Sequence, residues 1–270
     1  MKQTILNGVL ALALAAPGLM AQLKPKSQGE LDALKAMFTA TTADARIAAA
    51  ENVLTKYKDT DFKAVALYFE AASYEQKGDY ENTVVFAERT IEADPNHFQA
   101  MLMLAQNIAQ HTKEFDLDRE EKLAKVEKYA NGALILIPNA AKPNPALTDD
   151  QWAGAKKDFT AQAHVALGLA AMARKKYDVA ETEFKSALES KPDPATMVRL
   201  GSSYSLDGKY DDAIAQFDKV MGSADASAPV KQVAQAERVR AFQKKGAAAK
   251  PDNPAAPANP APPQVEVKKP

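Results

Sequence analysis

The chain has 270 residues, with 34 Lys and Arg against 35 Asp and Glu, and a net charge of −1. It contains no cysteine, which excludes disulfides, thiol chemistry and cysteine-ligated metal sites. This charge balance gives no general electrostatic reason to bind nucleic acid, and the high content of Ala, Leu, Glu and Lys favours helix over sheet.

Residues 1–21 have the pattern of a secretory signal peptide. Lys2 is the basic start, residues 5–16 form a short apolar run, and Ala21 is the predicted residue before cleavage. The alternative is a buried N-terminal helix. The chain has no cysteine for lipid attachment and no later apolar segment long enough to span a bilayer. We therefore predict export to a bacterial periplasm, with no integral membrane segment after cleavage.

The part of the chain from residue 30 to residue 138 has the pattern of consecutive pairs of amphipathic helices. Residues 30–63 predict a weak first pair, in which Leu34 and Val53 mark the apolar faces. Residues 64–97 predict a second pair joined by a turn at Gly78. Residues 98–138 predict a third pair, in which a charged segment replaces the turn and Pro138 ends the second helix.

An irregular stretch at 139–160 interrupts this series. It begins as a loop rich in Pro and Asn, and Thr148 then predicts the start of a long helix that runs toward Arg174. The front of this helix is expected to project from the stack. Trp152 is either a surface anchor for a partner or a contact with the neighbouring helix pair, and we favour the contact.

Two regular pairs follow, at 161–193 and 194–221. Tyr177 and Tyr210 are 33 residues apart, which gives the period of the repeat. Small residues such as Gly201 and Ala213 predict a close approach of the paired helices around Phe217. The residues that define the repeats are Tyr74, Gly78, Tyr80, Pro95, Gly168, Tyr177, Ala180, Phe184, Pro192, Gly201, Tyr204, Gly208, Tyr210, Ala213 and Phe217.

This order of Leu-Gly, Tyr, Gly-x-Tyr, Ala, aromatic residue and Pro resembles the tetratricopeptide repeat family. The resemblance covers about residues 30–220. It implies an all-α fold, a right-handed α-solenoid of antiparallel helix pairs, within a repeat domain at 27–243. It also implies a non-catalytic binding role. The first helices of such repeats line a concave surface that binds a peptide or helix.

The end of the chain predicts a cap and a tail. Residues 229–243 predict an amphipathic capping helix, for which a polar outer face is expected. Residues 244–270 are rich in Pro, Ala and Lys, carry a local charge of +3, and are predicted to be disordered.

Aligning the repeats places the predicted partner-binding positions on the first helices. The predicted set is Tyr68, Leu102, Gln106, Gln162, Val165, Leu169 and Val198, flanked by Val65, Ala72, Gln99, Ala195 and Ser202. None of these is Lys or Arg, so the clamp that related chaperone-tail binders form around a terminal carboxylate is not expected. The groove is predicted to be apolar, with Gln and Tyr at intervals. It is open to a ligand or filled by the chain's own residues 148–160 or 230–242.

No catalytic or metal-binding pattern is present. His97, His111 and His164 lack the paired spacing of a metal site and are expected to be structural. The carboxylates of Asp116, Asp118, Glu120 and Glu121 are interpreted as a solvated helix start. No nucleotide fingerprint occurs. We therefore predict no enzyme activity and no cofactor.

Two hypotheses for the function remain at this point. The first is an exported module that binds a protein or peptide partner. The alternative is a scaffold in cell-envelope assembly, held to an anionic surface by the basic tail. No binding to nucleic acid is expected under either, and the sequence does not predict an oligomeric state.

Overall fold

The computed structural model describes residues 23–248, which form eleven α-helices, one 3-10 turn and no strand within that range. The helices are α1 (Gln28–Thr39), α2 (Ala43–Lys56), α3 (Lys63–Lys77), α4 (Tyr80–Ala93), α5 (Phe98–His111), α6 (Arg119–Leu136), α7 (Asp149–Ala173), α8 (Tyr177–Ser190), α9 (Pro194–Leu206), α10 (Tyr210–Gly222) and α11 (Ala228–Ala248). The predicted signal peptide lies outside the described residues.

The helices pack as successive pairs. α1 packs on α2, α3 on α4, α5 on α6, α7 on α8 and α9 on α10, and each pair packs on the next. α5 also contacts α7 directly, and α11 packs on α9 and α10. The prediction of an all-α stack of helix pairs is therefore confirmed.

The turns inside the regular pairs require left-handed backbone. Gly78 ends α3 at φ +73°, and Gly208 holds the corresponding turn between α9 and α10 at φ +79°. Lys175 adopts φ +60° in the corresponding turn between α7 and α8, where the repeat has no glycine. The turn geometry therefore recurs even where the glycine does not.

Aromatic rings that lie on glycines set the helix separation within the last two pairs. A Cβ added to Gly168 would lie 2.5 Å from Cε1 of Phe184, and one added to Gly201 would lie 2.6 Å from Cε1 of Phe217. Both rings are fully buried. The two pairs thus use the same contact, one repeat apart.

The front of α7 does not project from the stack, contrary to the sequence prediction. Trp152 is only 7% exposed, and its indole Nε1 donates a hydrogen bond to the carbonyl oxygen of Ala140 at 3.0 Å. Phe159 packs edge-on against Phe98 at the start of α5, with the ring centroids 5.2 Å apart. Trp152 is therefore a buried packing residue and not an exposed anchor, and the contacts that bury it include the loop at 140–148 and Phe159 of its own helix.

Trp152 gives a direct test of this packing. Replacing it with Phe keeps the aromatic contact and removes the hydrogen bond to Ala140, which is expected to lower the free energy of unfolding by about 1 kcal/mol. Urea unfolding followed by circular dichroism measures the change. A variant as stable as the wild type would contradict the docked position of the α7 front. Phe115→Leu, at a side chain that is 89% exposed, is the control and should leave stability unchanged.

The capping helix is longer and less polar than predicted. α11 continues to Ala248, so the first five residues assigned to the disordered tail are helical; the rest of that tail lies outside the described residues. α11 buries Ala234 and Ala241, while Val233, Val239 and Phe242 are exposed. The outer face of the cap is therefore partly apolar, since no second helix follows to cover it within residues 23–248.

Candidate interaction surface

The predicted partner-binding residues lie on α3, α5, α7 and α9, the first helices of four successive pairs. Most of them are partly exposed: Tyr68, Gln106, Gln162, Val165, Leu169 and Val198. Leu102 differs, because only 3% of it is exposed and it belongs to the main core. We define the first-helix surface as these six exposed residues and leave Leu102 out of it.

At the α3 end of this surface, Tyr68 packs against His97. The two ring centroids are 4.6 Å apart. His97 is also the N-cap of α5, where Nδ1 accepts the backbone N–H of Ala100 at 3.3 Å. Burial lowers the pKa of His97 to about 4, so the imidazole is neutral at pH 7 and keeps its acceptor nitrogen. Tyr68 is thus held in place by a capping residue of the next first helix.

In the middle of the surface, two amides link the neighbouring first helices. Gln106 Nε2 on α5 donates to Gln162 Oε1 on α7 at 3.1 Å. Val165 and Leu169 follow Gln162 on α7, three and seven residues further along, and are partly exposed. This arrangement leaves an apolar strip beside a polar link.

A carboxylate that the sequence alignment of the repeats missed lies on the same side of α3. Glu75 follows Tyr68 and Ala72 at helical spacing, and its Oε1 accepts Asn107 Nδ2 from α5 at 2.6 Å. Burial raises the pKa of Glu75, and the Asn107 hydrogen bond partly offsets that rise. Extending the repeat alignment by one helical turn beyond Ala72 would have identified it.

Comparison with known proteins gives one matching family model and a shared fold. A tetratricopeptide repeat family model matches residues 161–194. A crystal structure of a thermophilic TPR protein from Thermus thermophilus matches with a TM-score of 0.54 and 17% sequence identity, over 78% of this chain and 99% of that chain. The chain has the tetratricopeptide-repeat fold. No curated protein sequence matches the sequence of this chain. The resemblance seen in the sequence is confirmed.

The stretched turn of the third tetratricopeptide pair is held by ion pairs. Lys122 bonds to Asp116 at 2.8 Å and to Asp118 at 2.9 Å, and Arg174 bonds to Glu120 at 2.8 Å. These contacts use the carboxylates of the charged run to fix the turn against the end of α7. Phe115 and Leu117 lie at its tip and are fully or nearly fully exposed.

The other two histidines also have packing or hydrogen-bond partners. His111 stacks on Tyr80 with ring centroids 4.2 Å apart, and Nδ1 of His164 lies 2.8 Å from Glu183 Oε2. Among residues 23–248, no cluster of three or more His, Asp or Glu could hold a metal ion. No helix of the same range is long and apolar enough to cross a membrane.

The two segments considered as internal fillers of the groove each contact one of the first helices, since α11 reaches α9, where Val198 packs against the cluster that holds Ala234, and the front of α7 reaches α5. α11 packs on α9 and α10 at the end of the stack. The front of α7 is docked on Ala140 and on Phe98. The first-helix surface keeps its partial exposure with both segments in place.

Proposed function

We propose that this protein is a non-catalytic interaction module that binds a peptide or helix of a partner protein along the first-helix surface. The observation that supports this is the recurrence of partly exposed, uncharged side chains at equivalent positions of three first helices, namely Tyr68 on α3, Val165 on α7 and Val198 on α9, while the equivalent residue of α5, Leu102, is buried. Burying such side chains supplies binding energy in proportion to the apolar area removed from water. The tetratricopeptide fold is itself typical of protein–protein interaction modules.

The side chains of the surface define the kind of partner it fits. An apolar strip with amides at intervals suits an amphipathic helix, or an extended segment with apolar residues on one side. Gln106 and Gln162 use one donor and one acceptor on each other, and their remaining amide groups are available to a partner backbone. No Lys or Arg lies at the predicted lining positions, so a partner is not recognised through a terminal carboxylate.

Glu75 adds a charge preference to this partner. It is the carboxylate that lies beside Tyr68 on α3, and one of its oxygens accepts Asn107. A Lys or Arg side chain of the partner would bond to the second oxygen and pack on the tyrosine ring. We therefore propose a partner segment that combines apolar side chains with one basic side chain at its α3 end.

Selection from a random peptide display library on the protein from residue 22 onward tests this proposal. The enriched peptides are expected to be apolar on one side and to share a Lys or Arg. Val165→Glu introduces a charge into the apolar strip and should weaken the selected peptide at least about tenfold. Val179→Glu is the matched control, because Val179 is 43% exposed on the second helix α8. Equal losses in both variants, or enrichment of no peptide, would contradict the proposal.

Charge exchange at Glu75 tests the basic side chain separately. Selection on Glu75→Lys is expected to enrich Asp or Glu where the wild type enriches Lys or Arg. If the wild type enriches apolar peptides with no basic preference, the surface still binds peptides and only the assignment to Glu75 is lost.

We also propose that the protein acts outside the cytoplasm, on the basis of the signal-like residues 1–21. Expression in a bacterial host followed by fractionation and mass spectrometry should give a periplasmic chain that begins at Gln22. Recovery of the full-length chain from the cytoplasm alone would contradict export.

A further inference from the structure

A small cleft lies between the end of α2, the start of α3 and the C-terminal half of α4. Its lining residues are Leu54, Tyr57, Lys58, Thr60, Lys63 and Arg89. Three of these six are cations, and no carboxylate is among them. They come from three separate parts of the chain, so the fold brings the positive charges together.

The three cations form no ion pair with a carboxylate among the described residues. The ion pairs found within residues 23–248 do not include Lys58, Lys63 or Arg89. The acidic residue nearest to Lys63 in sequence, Asp61, pairs instead with Lys26 at 3.0 Å. The lining therefore carries three cations, while the carboxylate of Glu30 lies behind it, where Oε1 accepts the hydroxyl of Thr60 at 2.5 Å, and the charge of Arg89 also acts on the buried Glu70.

Two further features suit an anion. Lys63 is the first residue of α3, and the N-cap residue Phe62 offers no side-chain acceptor, so no side chain caps this helix end. Lys63 is the residue of the first turn that lines the cleft. The guanidinium of Arg89 is held over the ring of Phe86, with its central carbon 4.9 Å from the ring centroid. A helix N-terminus and a positioned guanidinium both prefer the oxygens of an anion.

We propose that this cleft binds an anionic group with several oxygens, of which a phosphate or phosphate monoester fits the donor set best. Arg89 supplies paired N–H donors, the two lysines supply point charges, and the uncapped start of α3 at Lys63 completes the set. The wall formed by Leu54 and Tyr57 accommodates a short apolar substituent of the phosphate. This site is independent of the proposed peptide-binding function.

Titration of the ¹⁵N-labelled protein with sodium phosphate, against sodium chloride at equal ionic strength, tests the proposal. Phosphate is expected to give saturable chemical-shift changes confined to the amides around Lys58, Lys63 and Arg89. Glycerol phosphate and vesicles containing phosphatidylglycerol then distinguish a free phosphate compound from a lipid headgroup. Acetate measures how much of the affinity a simple carboxylate retains.

Matched charge changes separate a built site from general attraction. The triple change Lys58→Gln, Lys63→Gln and Arg89→Gln should weaken phosphate binding at least about tenfold. The control changes Lys157, Lys219 and Lys244 to Gln, which are exposed cations elsewhere and alter the net charge equally. Equal losses in both variants, or no saturable shift with phosphate in the wild type, would overturn the proposal. If the triple variant is unstable, Lys58→Gln alone is compared with Lys219→Gln alone, because both change one exposed lysine.

Discussion

Replacing Glu70 with Leu is expected to stabilise the protein by about 3 kcal/mol at pH 8. Glu70 is completely buried in α3, and neither carboxylate oxygen has a hydrogen-bond partner. The corresponding positions of the later first helices are Leu104, Leu167 and Leu200. A carboxyl therefore occupies a position that the other repeats fill with an apolar side chain.

The size of this effect follows from the pKa of Glu70. Burial, assisted by the negative charge of Glu51, raises that pKa from 4.5 to about 7, and Arg89 lowers it in part. The unfolded chain therefore loses the proton near pH 4.5, while the folded chain keeps it until about pH 7. The contribution of Glu70 to the free energy of unfolding is fully present below pH 4.5 and is lost as the pH rises through 7. The loss amounts to about 3 kcal/mol in total. Leu has no proton to lose, so the variant avoids this fall.

His97 has the opposite pH dependence. Its pKa is lowered from 6.5 to about 4, chiefly by burial, so the unfolded chain binds a proton that the folded chain does not. The stability that comes from neutral His97 is present above pH 6.5 and lost as the pH falls through 4. Between pH 4.5 and pH 6.5, the gain in stability from His97 as the pH rises offsets part of the loss from Glu70. Glu70→Leu should therefore expose an acid-side loss of stability that the wild type partly hides.

Urea unfolding of the wild type and Glu70→Leu at pH 5 and pH 8 measures both effects. The stability difference between the two proteins should be larger at pH 8. Glu70→Gln keeps the size of the side chain without the charge, and should share the reduced pH dependence while gaining less stability. Glu189→Leu, at an exposed carboxylate, is the control and should change stability by less than about 0.5 kcal/mol. A Glu70→Leu protein that is no more stable than the wild type at pH 8 would show that Glu70 is solvated or paired.

The second large effect is expected at the contact between Gly201 and Phe217. Gly201→Ala should lower the free energy of unfolding by about 2–3 kcal/mol. The new Cβ would lie 2.6 Å from Cε1 of Phe217, and this ring is fully buried in an interior that is expected to be closely packed. The helices α9 and α10 would have to separate.

A double-mutant cycle identifies the cause of that loss. Phe217→Leu removes the clashing ring, so Gly201→Ala should cost less than about 1 kcal/mol in its presence. Gly154→Ala is the control, because a Cβ there meets nothing within 4 Å inside α7 and removing a helical glycine should stabilise by about 0.5–1 kcal/mol. If Gly201→Ala costs the same with and without the Phe217 ring, the close approach is not the cause.

The sequence was sufficient to predict the parts of the fold that repeat. Gly201 and Phe217 were predicted to lie together, because their spacing within a helix pair and the recurrence of that pair fix the contact. Gly208 likewise marked its turn. Lys175 shows the limit of this reasoning, since the same left-handed turn forms there without the glycine.

The irregular parts could not be predicted from the pattern. The burial of Trp152 depends on a loop that returns to offer the carbonyl of Ala140, and no periodicity encodes that contact. Leu102 aligned with groove positions, but it is 3% exposed and belongs to the main core, whereas Val165 at the equivalent position of α7 is partly exposed.

The two charged features of the candidate sites were missed for different reasons. Glu75 was missed because the alignment of the repeats stopped one helical turn before it. The basic cleft joins Lys58 and Arg89, which are distant in sequence and are brought together only by the packing of α2 near α4.

Hydrogen–deuterium exchange of the protein with and without a selected peptide tests the proposed binding surface most directly. We expect the peptide to slow exchange in α3, α5, α7 and α9, with the strongest protection in the segments that carry Tyr68, Val165 and Val198. The second helices α4, α6, α8 and α10 should be unchanged. Protection confined to those second helices, or to α11, would contradict the claim that the first-helix surface is the binding surface.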